Sequence, residues 1–158
     1  MDDFRPIQNI RRAWIFYELK LYDQALQEVQ EALRILPSCA EAYIIRGKVY
    51  TRKHELSKAY EALRLAHIYS PKDSQTLISL GEFYLVKAEF DKALRIAKTI
   101  TAEFPKFAKG YCLLAQTYIK QNKIQPASTA MKQAFKLDPK VSAYSKQLSD
   151  LLYGLKSN

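Results

Sequence analysis

The chain has 158 residues, 48% of them apolar and 26% charged, and its 25 Lys and Arg against 16 Asp and Glu give a formal charge of +9. That balance allows a packed core and excludes a disordered chain, which would be too polar to offset its own entropy. Two cysteines, Cys39 and Cys112, cannot staple a small secreted fold, and no apolar run reaches the roughly 18 residues of a membrane span.

The prolines set the order of the elements. Pro37, Pro71, Pro105 and Pro139 stand 34 residues apart, which defines an extension 1–5 and four windows, 6–39, 40–73, 74–107 and 108–141. In the first window Ala13 and Phe16 precede Ala25 and Ala32. In the second, Tyr43, Gly47 and Tyr50 form one helical stripe and Ala59, Leu63 and Ala66 another, parted by Lys53-His54-Glu55. The third repeats this with Leu77, Leu80, Gly81 and Tyr84, the turn Lys87-Ala88-Glu89, then Ala93 and Ile100. The fourth gives Tyr111, Ala115 and Tyr118, then Pro126 in a helical first turn, Ala127 and Ala134. Residues 142–155, apolar at Tyr144, Leu148, Leu151, Leu152 and Leu155, read as a closing helix before a tail, 156–158. Asp23, Ser57 and Asp91 follow the turns, as N-caps or first-turn acids. Each window-ending proline stops a second helix, because the residue before it resists the helical conformation. Small residues in register let the two helices of a hairpin approach closely. One hairpin cannot cover its own apolar face, so neighbours must stack.

These columns resemble the tetratricopeptide repeat family. Its pattern is an aromatic or Leu, then Leu-Gly or Leu-Ala, a Tyr, an Ala, an aromatic, an Ala and a Pro. The fourth window follows it as Tyr111, Leu114-Ala115, Tyr118, Ala127, Met131, Ala134 and Pro139, with Met131 in place of the aromatic. The third departs at Ile100 and the second at Arg46. The first departs most, with Asn9 and Arg12 at its opening positions, so a frayed or differently packed helix is expected there. The fold class expected is an all-α, right-handed α-solenoid of four helix-turn-helix repeats plus a C-terminal capping helix.

The resemblance implies a concave groove lined by first helices, which receives a peptide or helix from a partner protein. Its positions fall on Trp14, Tyr17, Ile44, Ile45, Lys48, Arg52, Ile78, Glu82, Leu85, Lys109, Leu113, Gln116 and Ile119. Because the set is rich in apolar residues, an amphipathic helix or an apolar segment is the expected ligand, with Ile44, Ile78 and Leu85 as exposed anchors. The family's chaperone-tail clamp of two Lys, two Asn and an Arg is not reproduced: Ile10, Trp14, Ile45, Gln75 and Ser79 occupy those positions.

The fourth window holds six lysines against the single acid Asp138. Lys120, Lys123, Lys132 and Lys136 there form a candidate basic patch for an acidic protein, an anionic lipid surface or nucleic acid. Enzyme chemistry finds no motif: His54 and His67 lie apart from any metal-ligand spacing, and there is no phosphate loop. The expected role is therefore a non-enzymatic adaptor without metal, cofactor or small-molecule substrate. Self-assembly through the divergent first window, and binding of an acidic surface by the basic end, stand as alternatives. The acidic start of the chain lacks the apolar core of a signal peptide, so a cytoplasmic location is expected, compatible with peripheral membrane association.

Overall fold

The computed structural model describes residues 4–144 and residue 150. It contains α1 (Arg5–Glu18), α2 (Tyr22–Ile35), α3 (Ala40–Arg52), α4 (Leu56–Tyr69), α5 (Ser74–Val86), α6 (Phe90–Glu103), α7 (Ala108–Lys120) and α8 (Ile124–Leu137). A 3-10 turn, Pro139–Tyr144, follows. The fold class is an all-α solenoid of helix-turn-helix repeats ending in this short helix. The proposed capping helix 142–155 otherwise lies outside the described residues, as does the tail. No helix among the described residues is long and apolar enough to cross a membrane.

Each second helix stops two residues before its proline, at Ile35, Tyr69, Glu103 and Leu137. Leu36 and Asp138, directly before Pro37 and Pro139, have left the helical region, as a pre-proline residue must. The hairpin turns share a second device. Lys20, His54, Ala88 and Asn122, again 34 residues apart, have φ between 57° and 61°. In the first turn the Lys20 N–H donates to Tyr17 O at 2.9 Å and the Leu21 N–H to Phe16 O at 2.8 Å. The other three turns repeat this pair of bonds, the Schellman closure that satisfies carbonyls left over at a helix end. Asp23 and Asp91 lie in the first turns of α2 and α6 but make no cap. They reach the turn of the next hairpin instead: Asp23 Oδ1 accepts from Lys53 Nζ and Asp91 Oδ1 from Gln121 Nε2, each at 3.0 Å.

The chain divides within α5 into two compact units, Met1–Ser79 and Leu80–Asn158. In the first, α1 pairs with α2 and α3 with α4, while α2 and α1 both adjoin α3. Ala13, Ala25, Val29, Ala32, Ala42, Ile45 and Val49 are fully buried there. The small column works as expected at Gly47, where a Cβ would come within 2.5 Å of Leu63 Cδ2 and Cγ on the partner helix. Helix α1 is not frayed. Glu28 on α2 accepts two bonds from Arg12 at 2.9 Å and one from Asn9 at 2.7 Å, so ionic and polar contacts replace the apolar ones of the other hairpins. Those donors, Arg12 foremost, hold the Glu28 carboxyl below the usual carboxylate range.

In the second unit α6 packs on α7, α7 pairs with α8, and the 3-10 turn covers part of both. Ala115, Met131, Ala134 and Val141 form its fully buried centre, with Cys112 beside them. A Cβ on Gly81 would collide with Leu113, so the space that glycine leaves is filled from the next repeat's first helix. Gly110 likewise admits Ile100 Cγ2, which would stand 2.6 Å from an added Cβ.

Candidate functional site

In the first unit α1, α3 and the entry to α5 enclose a cleft of about 320 Å³, lined by Trp14, Ala40, Glu41, Ile44, Ser70, Asp73 and Gln75. Ile44, 4% exposed, forms its floor. The half-buried Trp14 is fixed by a hydrogen bond from Nε1 to Glu41 Oε1 at 2.8 Å, and its ring meets Tyr17 edge-on at 5.8 Å. Asp73 caps α5: its Oδ2 accepts from the Thr76 backbone N–H at 2.7 Å and the Thr76 hydroxyl at 3.0 Å. A second cleft, of about 210 Å³, shares Trp14 and Glu41 and adds Ile7, Ile10, Arg11 and Leu36 among its walls.

Farther along α3, Lys48 Nζ lies 5.8 Å from the Tyr17 ring centroid and Arg52 Nε donates to the Tyr17 hydroxyl at 3.3 Å. Tyr17 is therefore a buried platform that gathers two cations on the face where Trp14 and Glu41 stand. Five sequence-derived residues, Trp14, Tyr17, Ile44, Lys48 and Arg52, come together here.

The expected apolar groove residues do not stand out from the surface. Ile44 and Ile78 are not exposed anchors: the same repeat position is filled by Ile10, Ile44, Ile78 and Cys112, all buried. Ile45 is fully buried because the next position round the helix faces the preceding repeat, where α2 packs on α3. Leu113 occupies that same position and is 2% exposed, its side chain seated against Gly81. In the second unit Lys109 is exposed, whereas Glu82, Leu85, Gln116 and Ile119 are half-buried, and Ile119 leans on the Cys112–Met131 core. Asp73 and Ser70 of the cleft escaped the sequence argument. The Asp-x-x-Thr cap pattern ahead of the third window carries the signal for Asp73.

The four basic-patch lysines fall into two pairs. Lys120 and Lys123 flank the last hairpin turn, and Lys132 and Lys136 lie at least nine residues farther along α8, about 13 Å or more away at the helical rise. Lys132 and Lys136 border a shallow cleft of about 680 Å³ with Tyr111 and Tyr118 in its walls. Among the described residues no cluster of three His, Cys, Asp or Glu is placed to hold a metal. Burial pushes the Cys112 thiol up to about 11, so it stays protonated, and a poor nucleophile, at neutral pH.

Residues 108–141 match the family model described as tetratricopeptide repeat. That fourth window is a tetratricopeptide repeat. The chain's repeats are 29% identical over 90 residues to the TPR repeat-containing protein MJ1428 of Methanocaldococcus jannaschii, covering 57% of this chain and 16% of that one. They are 31% identical over 100 residues to the BBSome complex member BBS4 of Bos taurus, covering 63% of this chain and 19% of that one. The chain thus spans less than a fifth of either relative. In fold it is similar to TTC0263, a thermophilic TPR protein of Thermus thermophilus, with a TM-score of 0.83 at 20% identity over 95% of this chain and 82% of that one. Repeats of this kind form scaffolds for protein interaction.

Proposed function

We propose that the scaffold binds a peptide or helical segment of a partner protein across the α1–α3 face, centred on Trp14. The observation that carries this reading is the cleft itself. Three successive repeats contribute to it, its floor is apolar, and its one aromatic wall is held in place by a hydrogen bond. A fixed aromatic over an apolar floor is the surface on which binding energy concentrates in protein interfaces. Tyr17 of α1 with Lys48 and Arg52 of α3 extends the contact along this face, while Glu82, Leu85, Lys109, Gln116 and Ile119 are the positions the second unit offers. The BBSome relative is itself a complex member, which supports an assembly role. The groove is more mixed in polarity than its sequence suggested, so its ligand carries polar as well as apolar contacts.

Affinity capture with quantitative mass spectrometry tests this reading. Trp14→Ala is expected to reduce recovery of the specific partners by about tenfold or more, the loss a single anchor residue brings, with helical circular dichroism retained. Unchanged recovery would remove Trp14 from the site.

One observation favours self-assembly as a second reading. Ile15 is 58% exposed, whereas Val49 and Phe83 at the same repeat position are fully buried. With Phe4, Ile7 and Leu19 also exposed, α1 presents a second apolar side opposite its core face. Light scattering over a concentration series is expected to show a mass that rises with concentration and becomes monomeric in Ile15→Lys. A constant monomer mass in the unaltered chain would discard this reading.

A further inference from the structure

We propose that the cleft over Ile44 receives a single basic side chain of the partner, arginine in preference to lysine, with Glu41 and Asp73 as its counter-charges. This rests on the reading of the α1–α3 face as the binding surface and specifies its ligand chemistry.

The lining decides the sign. Glu41 and Asp73 are its two charged residues, and no Lys, Arg or His contributes to it, although the chain as a whole carries +9. Each carboxylate is half committed. Glu41 uses Oε1 for the Trp14 indole, and Asp73 uses Oδ2 for both Thr76 donors. Glu41 Oε2 and Asp73 Oδ1 accept no hydrogen bond from the described residues, so each rim acid keeps one oxygen for a ligand. Those bonds also fix both carboxylates, which lowers the entropic cost of closing on a cation.

The remaining walls suit the stem of such a side chain. Ile44 offers apolar floor, and Trp14 offers an aromatic surface on which a methylene chain packs and a cation is attracted. A guanidinium presents a planar fork of donors that two separate carboxylates can share, which a lysine ammonium, a point donor, matches less well. A cation adjoins the site: Arg11 lines the neighbouring cleft. It repels a second basic residue on that side, so the motif is one basic residue among neutral or acidic ones.

The experiment is selection of a displayed random peptide library on the purified chain. Titration calorimetry of the selected peptide then compares the chain with Glu41→Gln/Asp73→Asn and with Trp14→Ala. The double substitution keeps the acceptor for Trp14 and an N-capping side chain, so it removes charge with little cost to the fold. The expected result is enrichment of peptides with one basic residue at a fixed position, Arg more often than Lys, and equal enrichment of the two would overturn the preference for arginine. Their affinity should fall at least tenfold in the charge-neutral variant and fall likewise when the peptide's Arg becomes Gln. Selected peptides without a basic residue that still lose binding in Trp14→Ala would overturn the basic-side-chain inference and leave the α1–α3 face standing. Peptides that bind all three proteins equally would overturn both, as would a failure to select any.

Discussion

Four residues without glycine's freedom hold left-handed backbone at the hairpin turns, and they are not equally suited to it. Asn122 tolerates the conformation through its short polar side chain, whereas Ala88, at φ 61°, has nothing to offset the crowding of its Cβ. Ala88→Gly is therefore expected to stabilise the protein by about 0.5–1 kcal/mol, the relief of the Cβ outweighing the added freedom of the unfolded chain. Thermal or urea unfolding measures it, and a loss of stability would contradict the turn geometry. The sequence hid this feature, because Lys, His, Ala and Asn in one column share no chemistry; the column is legible only once the backbone is seen. Glu28 is a second residue whose role lies outside the repeat pattern. Its folded pKa is lowered, so its contribution is present above the ordinary carboxylate range, near pH 4.3, and is lost as pH falls through the lower folded value. Glu28→Gln should melt below the unaltered protein at pH 7, and the gap should narrow as the solution is acidified below about pH 4. A gap independent of pH would mean that Asn9 and Arg12 hold α1 by contacts other than this carboxylate.

Along each helix, successive residues turn by about 100°, and that rotation separates what the sequence joined. Ile44 and Ile45 are neighbours in the groove expected from the sequence, yet Ile44 floors the cleft while Ile45 is wedged between repeats. Leu113, in the same column as Ile45, behaves as core. Leu113→Ala should cost about 2–5 kcal/mol, as truncation of a buried leucine does, whereas an exposed anchor would lose little. Chemical denaturation distinguishes the two, and a cost within about 0.5 kcal/mol, the usual range for surface positions, would return Leu113 to the groove. Helix type, order and ends were legible, since prolines, small columns and apolar stripes each act within a window. The facing of individual first-helix residues was not, because it depends on which neighbouring helix closes over them.

Taken through the whole chain, the period of 34 recurs in the prolines, the left-handed turn residues and the buried columns. A repeated unit must solve the same packing problem each time, which is why its fold could be read without reference to any distant contact. The candidate site breaks the period. Trp14, Glu41 and Asp73 belong to three different columns of the repeat, so no alignment of the windows with one another could have assembled them. That singularity has a practical side. The chain contains one tryptophan, and it stands in the wall of the cleft. Any guest that dries that wall or brings a charge against the indole will change the colour and intensity of the protein's own emission, so occupancy can be followed on the unlabelled molecule in dilute solution.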